Sequence, residues 1–222
     1  MSLALVWACR AMRRESARRW LVAVAGLLWL SAAAASFVGL WNYSTAAGAP
    51  GQAPAWWPAD SRLRRDPARF TLLVMAHPKC PCTRATIGEL ATLMAQSAGR
   101  VRAIVVFEQP PGVAANWAKS DLWFSAREIP GVSVVLDDNS EARRFGAATS
   151  GQTMVYDAAG RLVFSGGITA ARGHWGDNAG QAEILALADN TTRRAETTPV
   201  FGCPLFGASA RVHAGSAITC RR

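Results

Sequence analysis

The chain sets one long apolar block ahead of a series of short apolar runs separated by polar turns. From Trp20 to Trp41 there is no charged residue. At about 1.5 Å per residue, that stretch reaches across a hydrocarbon core of about 30 Å. The pattern predicts a transmembrane helix over 20–41, with Trp20 and Trp41 at its two interfaces. Farther along, Phe70–Ala76, Val101–Phe107 and Val132–Leu136 are apolar runs of strand length. Ile87, Leu90, Leu93 and Met94 share one face of a helix expected over 83–97, with Thr83 as its N-cap. Trp117, Leu122 and Trp123 mark a second helical stretch, Val113–Ala126, and a short helix is expected over Ser140–Phe145. Thr153–Tyr156 and Arg161–Phe164 flank Asp157-Ala158-Ala159-Gly160, a hairpin signal, and Gln181–Asp189 reads as a last helix. Strands alternating with helices, then a hairpin and a helix, predict an α/β domain. Its central sheet is covered on both faces and its first crossover is right-handed.

This pattern divides the 222 residues into one folded domain and its appendages. A cytoplasmic N-terminus is expected over 1–19, the transmembrane helix over 20–41 and a linker over 42–67. The domain occupies 68–190, and a cysteine-containing tail occupies 191–222. Asn42–Pro58 is rich in Ala, Gly and Pro, carries no charge and contains Trp56-Trp57. Those two rings belong either on the domain or at a bilayer surface.

Charge orients the apolar block. Arg10, Arg13, Arg14, Arg18 and Arg19 precede it, and no basic residue follows until Arg62. The positive-inside rule therefore leaves 1–19 in the cytoplasm and the domain outside, on a single-pass chain whose first partner is the lipid bilayer. Ala33-Ala34-Ala35 offers small residues for a signal-peptide cleavage site, but the apolar run is longer than the usual h-region, which favours retention. The net charge is +9, of which residues 1–41 supply +4. Beyond them the only basic cluster is Arg62–Arg65, too sparse for a nucleic-acid footprint, so nucleic acid is not an expected partner.

Chemistry concentrates between the first strand and the first helix of the domain, at Cys80-Pro81-Cys82. Backbone N–H groups and the positive end of a helix dipole stabilise a thiolate there, which makes sulfur nucleophilic or metal-binding. Lys79 would add a cation beside the thiols. Two thiolates in one turn suit a soft ion such as Cu(I), with His77 or His174 completing the site. His213 is the third histidine, in the tail, and Cys9 falls on the cytoplasmic side. Cys80, Cys82, Cys203 and Cys220 lie outside and permit three pairings. A structural Cys203–Cys220 disulfide would close 18 residues and contribute about 3 kcal/mol in the loop-entropy model. In the rival arrangement Cys203 folds back onto Cys80 or Cys82. No P-loop, dinucleotide fingerprint or His-Glu-x-x-His motif occurs, so no organic cofactor is expected.

The order β-α-β-α-β-β-α, with thiols at the start of the first helix, resembles the thioredoxin fold. The anchor and the hairpin VYDAAGRLVFSGG resemble the tethered, TlpA-type members exported from bacterial cells. More narrowly, His77–Cys82, Gly173–Asn178 and Phe201–Phe206 resemble thioredoxin-like proteins of the RedB group. The resemblance implies a domain in the periplasm that exchanges disulfides, with Cys80 attacking and Cys82 resolving. Two departures stand out. Family members use Cys-x-x-Cys, whereas this chain has Cys-x-Cys, whose i,i+2 disulfide would be strained and relatively oxidising. Family members also carry a cis-proline before the hairpin strand, which keeps metal ions off the thiols, and here Gln152 takes that place. Three function classes follow: an oxidoreductase acting on an exported protein thiol or disulfide, a Cu(I) carrier serving a metal-receiving partner, and a tethered adaptor without chemistry.

Overall fold

The computed structural model describes residues 3–191 and 197–206. The chain forms two units, 1–44 and 45–222. The first is carried by one helix, α1 (Leu3–Thr45). Its segment Arg18–Thr45 has a mean hydropathy of 2.1, and it is long and apolar enough to cross a membrane. The side chains of Trp20, Leu27, Leu28, Trp29, Leu30 and Phe37 all point away from protein. Two of its serine hydroxyls bond inside the helix, Ser36 Oγ to Ala32 O and Ser44 Oγ to Trp41 O, which suits a lipid environment.

In the second unit a five-stranded sheet runs in the order β3-β2-β1-β4-β5. The strands are β1 (Phe70–Ala76), β2 (Val101–Glu108), β3 (Val132–Asp137), β4 (Thr153–Tyr156) and β5 (Leu162–Gly166). β1, β2 and β3 pair in parallel, β4 runs antiparallel to β1, and β5 folds back antiparallel to β4 as a hairpin. β1 is buried on both faces, which is why it reads as a continuous apolar run. Leu72 and Val74 face a core closed by Leu90, Leu93, Phe107, Trp123 and Ile184. Leu73 and Met75 face a second core with Ile104, Phe145, Met154 and Tyr156. The helices that cover these faces are α2 (Pro81–Gln96), α3 (Asp121–Glu128), α4 (Ser140–Arg144) and α5 (Ala179–Ala188). The hairpin turn closes on Gly160, whose φ of +90° favours glycine and whose N–H donates to Asp157 O at 2.9 Å.

Four expectations need correction. α2 begins at Pro81, with Cys80 rather than Thr83 as N-cap, because proline suits the first helical position and its missing N–H costs nothing there. α3 begins at Asp121, not Val113. Pro110-Pro111-Gly112 resists helix, and the Gln109 side chain pins the following turns through Ala114 O and Ala118 N. The expected linker is folded from residue 45 onward. Trp57 lies edge-on to Phe145 at 5.0 Å and to Tyr156 at 5.2 Å, while Tyr156 Oη donates to Pro54 O at 3.0 Å. Trp56, by contrast, stays exposed. The described part of the tail, 197–206, joins the domain as well: Val200, Phe201 and Leu205 are buried, Leu205 in the second core.

Candidate thiol site

β1 delivers the chain to the carboxyl edge of the sheet, where His77-Pro78-Lys79 turns it into α2. Cys80 N–H donates to His77 O at 3.2 Å, and Thr83 N–H donates to Cys80 O at 3.0 Å. Thr83 Oγ1 donates back to His77 O at 3.0 Å, so Thr83 braces the turn from inside the helix. Ser150 Oγ accepts from His77 N at 2.9 Å and shares a 2.9 Å hydrogen bond with Thr83 Oγ1. The loop 148–152 is thereby locked against the turn, and Gly151 N–H to Met75 O at 2.7 Å ties it to the end of β1. Gln152 holds that loop by means proline lacks. Its N–H donates to Thr149 O at 3.1 Å and its Oε1 accepts from Ala148 N at 3.1 Å.

The outer edge of the same loop carries the segment 198–205. Ser150 N–H donates to Cys203 O at 2.8 Å, Leu205 N–H donates to Ala148 O at 3.0 Å, and Thr149 bridges Pro204. Arg172 Nη1 donates to Gly202 O at 2.8 Å, and Gly48 N–H donates to Val200 O at 2.8 Å. Glycine is required at 202 because a Cβ there would stand 1.8 Å from Ser150 O. These bonds bring Cys203 Sγ to 3.0 Å from Cys80 Sγ. Cys80, Cys82 and Cys203 are all free thiols. The rival arrangement, with Cys203 folded back on Cys80, is therefore the one observed. Cys220, its expected partner, lies outside the described residues.

Electrostatics divides the three sulfurs. Cys80 is held far below the usual thiol range, first by the hydrogen bond from Cys203, then by that from Cys82, with Thr83 N–H adding to them. Cys203 and Cys82 are pushed up, each first by its bond to the Cys80 sulfur and then by burial. Of the three sulfurs, Cys80 is therefore the one whose thiolate its surroundings favour. Arg172 acts in the opposite sense on Cys82 and Cys203, as does the Gly173 N–H that Cys82 meets.

The other expected site residues lie around this trio. Lys79 is exposed and places its ammonium 5.0 Å from the Trp117 ring centroid; the groups that hold Cys80 down are sulfurs and backbone amides, not this cation. His77 packs edge-on against Trp117 and points Nε2 at Glu108 Oε2, 3.8 Å away. Glu108 is buried, and burial raises its carboxyl to about 7, with Asp137 adding to the rise. His174 is exposed, its Nδ1 3.0 Å from Arg172 O. Its loop serves packing. Trp175 sits over Gly88, Gly176 N–H donates to Glu89 Oε1 at 2.6 Å, and Asn178 Oδ1 caps α5 by accepting from Gln181 N at 2.8 Å. Among the described residues no group of three or more His, Cys, Asp or Glu side chains is arranged to hold a metal ion. Cys80 and Cys203 also stand closer than two ligands of one ion: metal–sulfur bonds of about 2.3 Å at tetrahedral angles put sulfurs about 3.8 Å apart. As arranged, the pair fits bond formation between sulfurs better than a shared metal. Sequence reasoning missed Ser150, Arg172 and Glu108, none of which belongs to a spacing pattern.

A parallel β-α-β unit joined to an antiparallel hairpin, with thiols opening the first helix, defines the thioredoxin-like class. No family model matches the chain, and no curated protein matches it. Among solved structures it is similar to a hypothetical protein from Sinorhizobium meliloti, at 18% identity and a TM-score of 0.53, covering 73% of this chain and 94% of that one. An uncharacterized conserved protein from Geobacillus kaustophilus gives 16% identity and a TM-score of 0.53, covering 73% and 93%. A thioredoxin-like protein from Porphyromonas gingivalis gives 17% identity and a TM-score of 0.42, covering 64% and 93%. At these identities the likeness speaks to the fold alone.

Proposed function

We propose that the chain is a membrane-tethered thiol–disulfide exchange protein whose domain works on the periplasmic side of a bacterial cytoplasmic membrane, as in the RedB group. The observation that carries this reading is Cys80, a free cysteine buried at the N-cap of α2 with a second sulfur 3.0 Å away. Cys80 is the sulfur whose bond is made and broken. The partner is an exported protein thiol or disulfide, and the apolar segment Arg18–Thr45 keeps the domain at the bilayer.

The test is disulfide exchange by the full-length chain in detergent, with Cys80→Ser beside it and competition for buffered Cu(I) in parallel. Exchange that Cys80→Ser abolishes supports the reading. One Cu(I) held per chain without exchange would make the protein a copper carrier delivering to a metal-receiving partner. Neither activity would leave an adaptor. A reporter fused after residue 60 should be active only if it works outside the cytoplasm.

A further inference from the structure

We propose that the working redox couple is Cys80–Cys203, not Cys80–Cys82, and that it oxidises partner dithiols, with the partner entering at Cys203 and Cys80 leaving. The inference rests on the exchange reading above and adds the second sulfur and the direction of electron flow.

Proximity and fastening argue for the pair. The two sulfurs are 3.0 Å apart, about 1 Å more than a disulfide bond. The segment that carries Cys203 is bonded on both sides of it, through Gly202 O to Arg172 and through Leu205 N–H to Ala148 O. Cys203 therefore arrives at Cys80 in a set geometry rather than by chance encounter. Cys82 is placed worse for a bond to Cys80. It lies inside the first helical turn while Cys80 is the extended N-cap, with φ −87° and ψ 123°. Bridging residues i and i+2 would open the turn closed by Thr83 N–H to Cys80 O.

Exposure and charge argue for the direction. Cys80 is 1% exposed, whereas Cys203 is half-buried and is the sulfur an incoming partner reaches. Attack on a disulfide is faster when the displaced sulfur is the better-stabilised thiolate, and here that is Cys80. In the first step a partner thiolate attacks Cys203 Sγ; the Cys80–Cys203 bond breaks, and Cys80 departs with the electron pair. In the second, the partner's other thiolate attacks its own sulfur in the mixed disulfide, forming the partner disulfide. Cys203 is released as a thiolate and takes a proton from water. Two electrons pass from the partner dithiol to Cys80 and Cys203. A protein or small-molecule disulfide of the same compartment reoxidises them by the reverse exchange. Stabilising the reduced form through the Cys80 thiolate makes the couple oxidising.

The test uses the full-length chain with Cys9→Ser and Cys220→Ser, oxidised by oxidised glutathione and mapped by peptide mass without reduction. The expected link is Cys80–Cys203, and Cys82→Ser should still form it. Brief reaction of the oxidised chain with reduced glutathione should place the adduct on Cys203. Cys203→Ser should oxidise dithiothreitol at least 100-fold more slowly. Gly202→Ala keeps all three thiols but drives a Cβ into Ser150 O, and it should cut formation of the link about tenfold. A Cys80–Cys82 link, an adduct on Cys80, or unchanged dithiothreitol oxidation by Cys203→Ser would overturn the proposal, as would normal linking in Gly202→Ala. Loss of all exchange in Cys80→Ser supports the broader reading whichever sulfur is the second, so the two fail separately.

Discussion

Two irregular strips, 45–69 and 197–206, flank the sheet, and they differ in what they bring to it. Both lack regular secondary structure, and both dock by single backbone bonds to loops of the domain. The strips also meet each other, through Gly48 N–H to Val200 O and through Arg172, which donates to Ala46 O and Gly202 O. The first strip inserts apolar side chains, Trp57 and Leu63, into the second core. The second inserts Leu205 there too, but it also presents Cys203 to Cys80. One strip adds stability, and the other adds stability and sets a sulfur beside Cys80. Irregular segments are thus assigned by what their few anchored side chains touch.

The sharpest break in that comparison is chemical. Cys80→Ser should lower disulfide exchange about a thousandfold or more, measured as turnover of a dithiol, because among the described residues no other sulfur is held below the usual thiol range. Trp57→Ala removes a half-buried ring from between Phe145 and Tyr156. It should cost about 3 kcal/mol in denaturant unfolding of the domain and leave the Cys80 titration where it was. Leu205→Ala sharpens the contrast: it should cost about 2 kcal/mol and also raise the pKa of Cys80, because the Cys203 donor loosens with its segment.

A pH-dependent effect belongs to Glu108. Its carboxyl lies above the ordinary value, at about 7, because it is buried. The folded protein therefore holds a proton there that the unfolded chain has released. That contribution is fully present below about pH 4.5 and is lost as pH rises through about 7. Tm should fall between those values, and Glu108→Gln should flatten that fall.

Most of the sheet was legible in the sequence because its strands are local patterns. Phe70–Ala76 and Val132–Asp137 announce themselves by apolar runs, and the hairpin by Asp157–Gly160. The thiol turn was legible for the same reason, since strand, cysteines and helix are contiguous. What escaped depends on distant residues. Nothing near Cys203 in the sequence says that it meets a residue 123 positions earlier, and the contact depends on Ser150, Ala148 and Arg172 accepting or donating to its segment. Trp57 reads as linker because one aromatic ring among Ala, Gly and Pro has no period, yet that ring fills a core. Lys79 was assigned by proximity in sequence, and its side chain instead turns to Trp117.

With Cys203 Sγ 3.0 Å away, Cys80 should rest as a thiolate. Thiolate ultraviolet absorbance of the full-length chain, followed against pH in wild type and in Cys203→Ala, tests it most directly. The wild-type protein should show one thiolate persisting well below the reference pKa of about 8.5, and Cys203→Ala should move that step upward. A single step near 8.5 in both proteins would contradict the account.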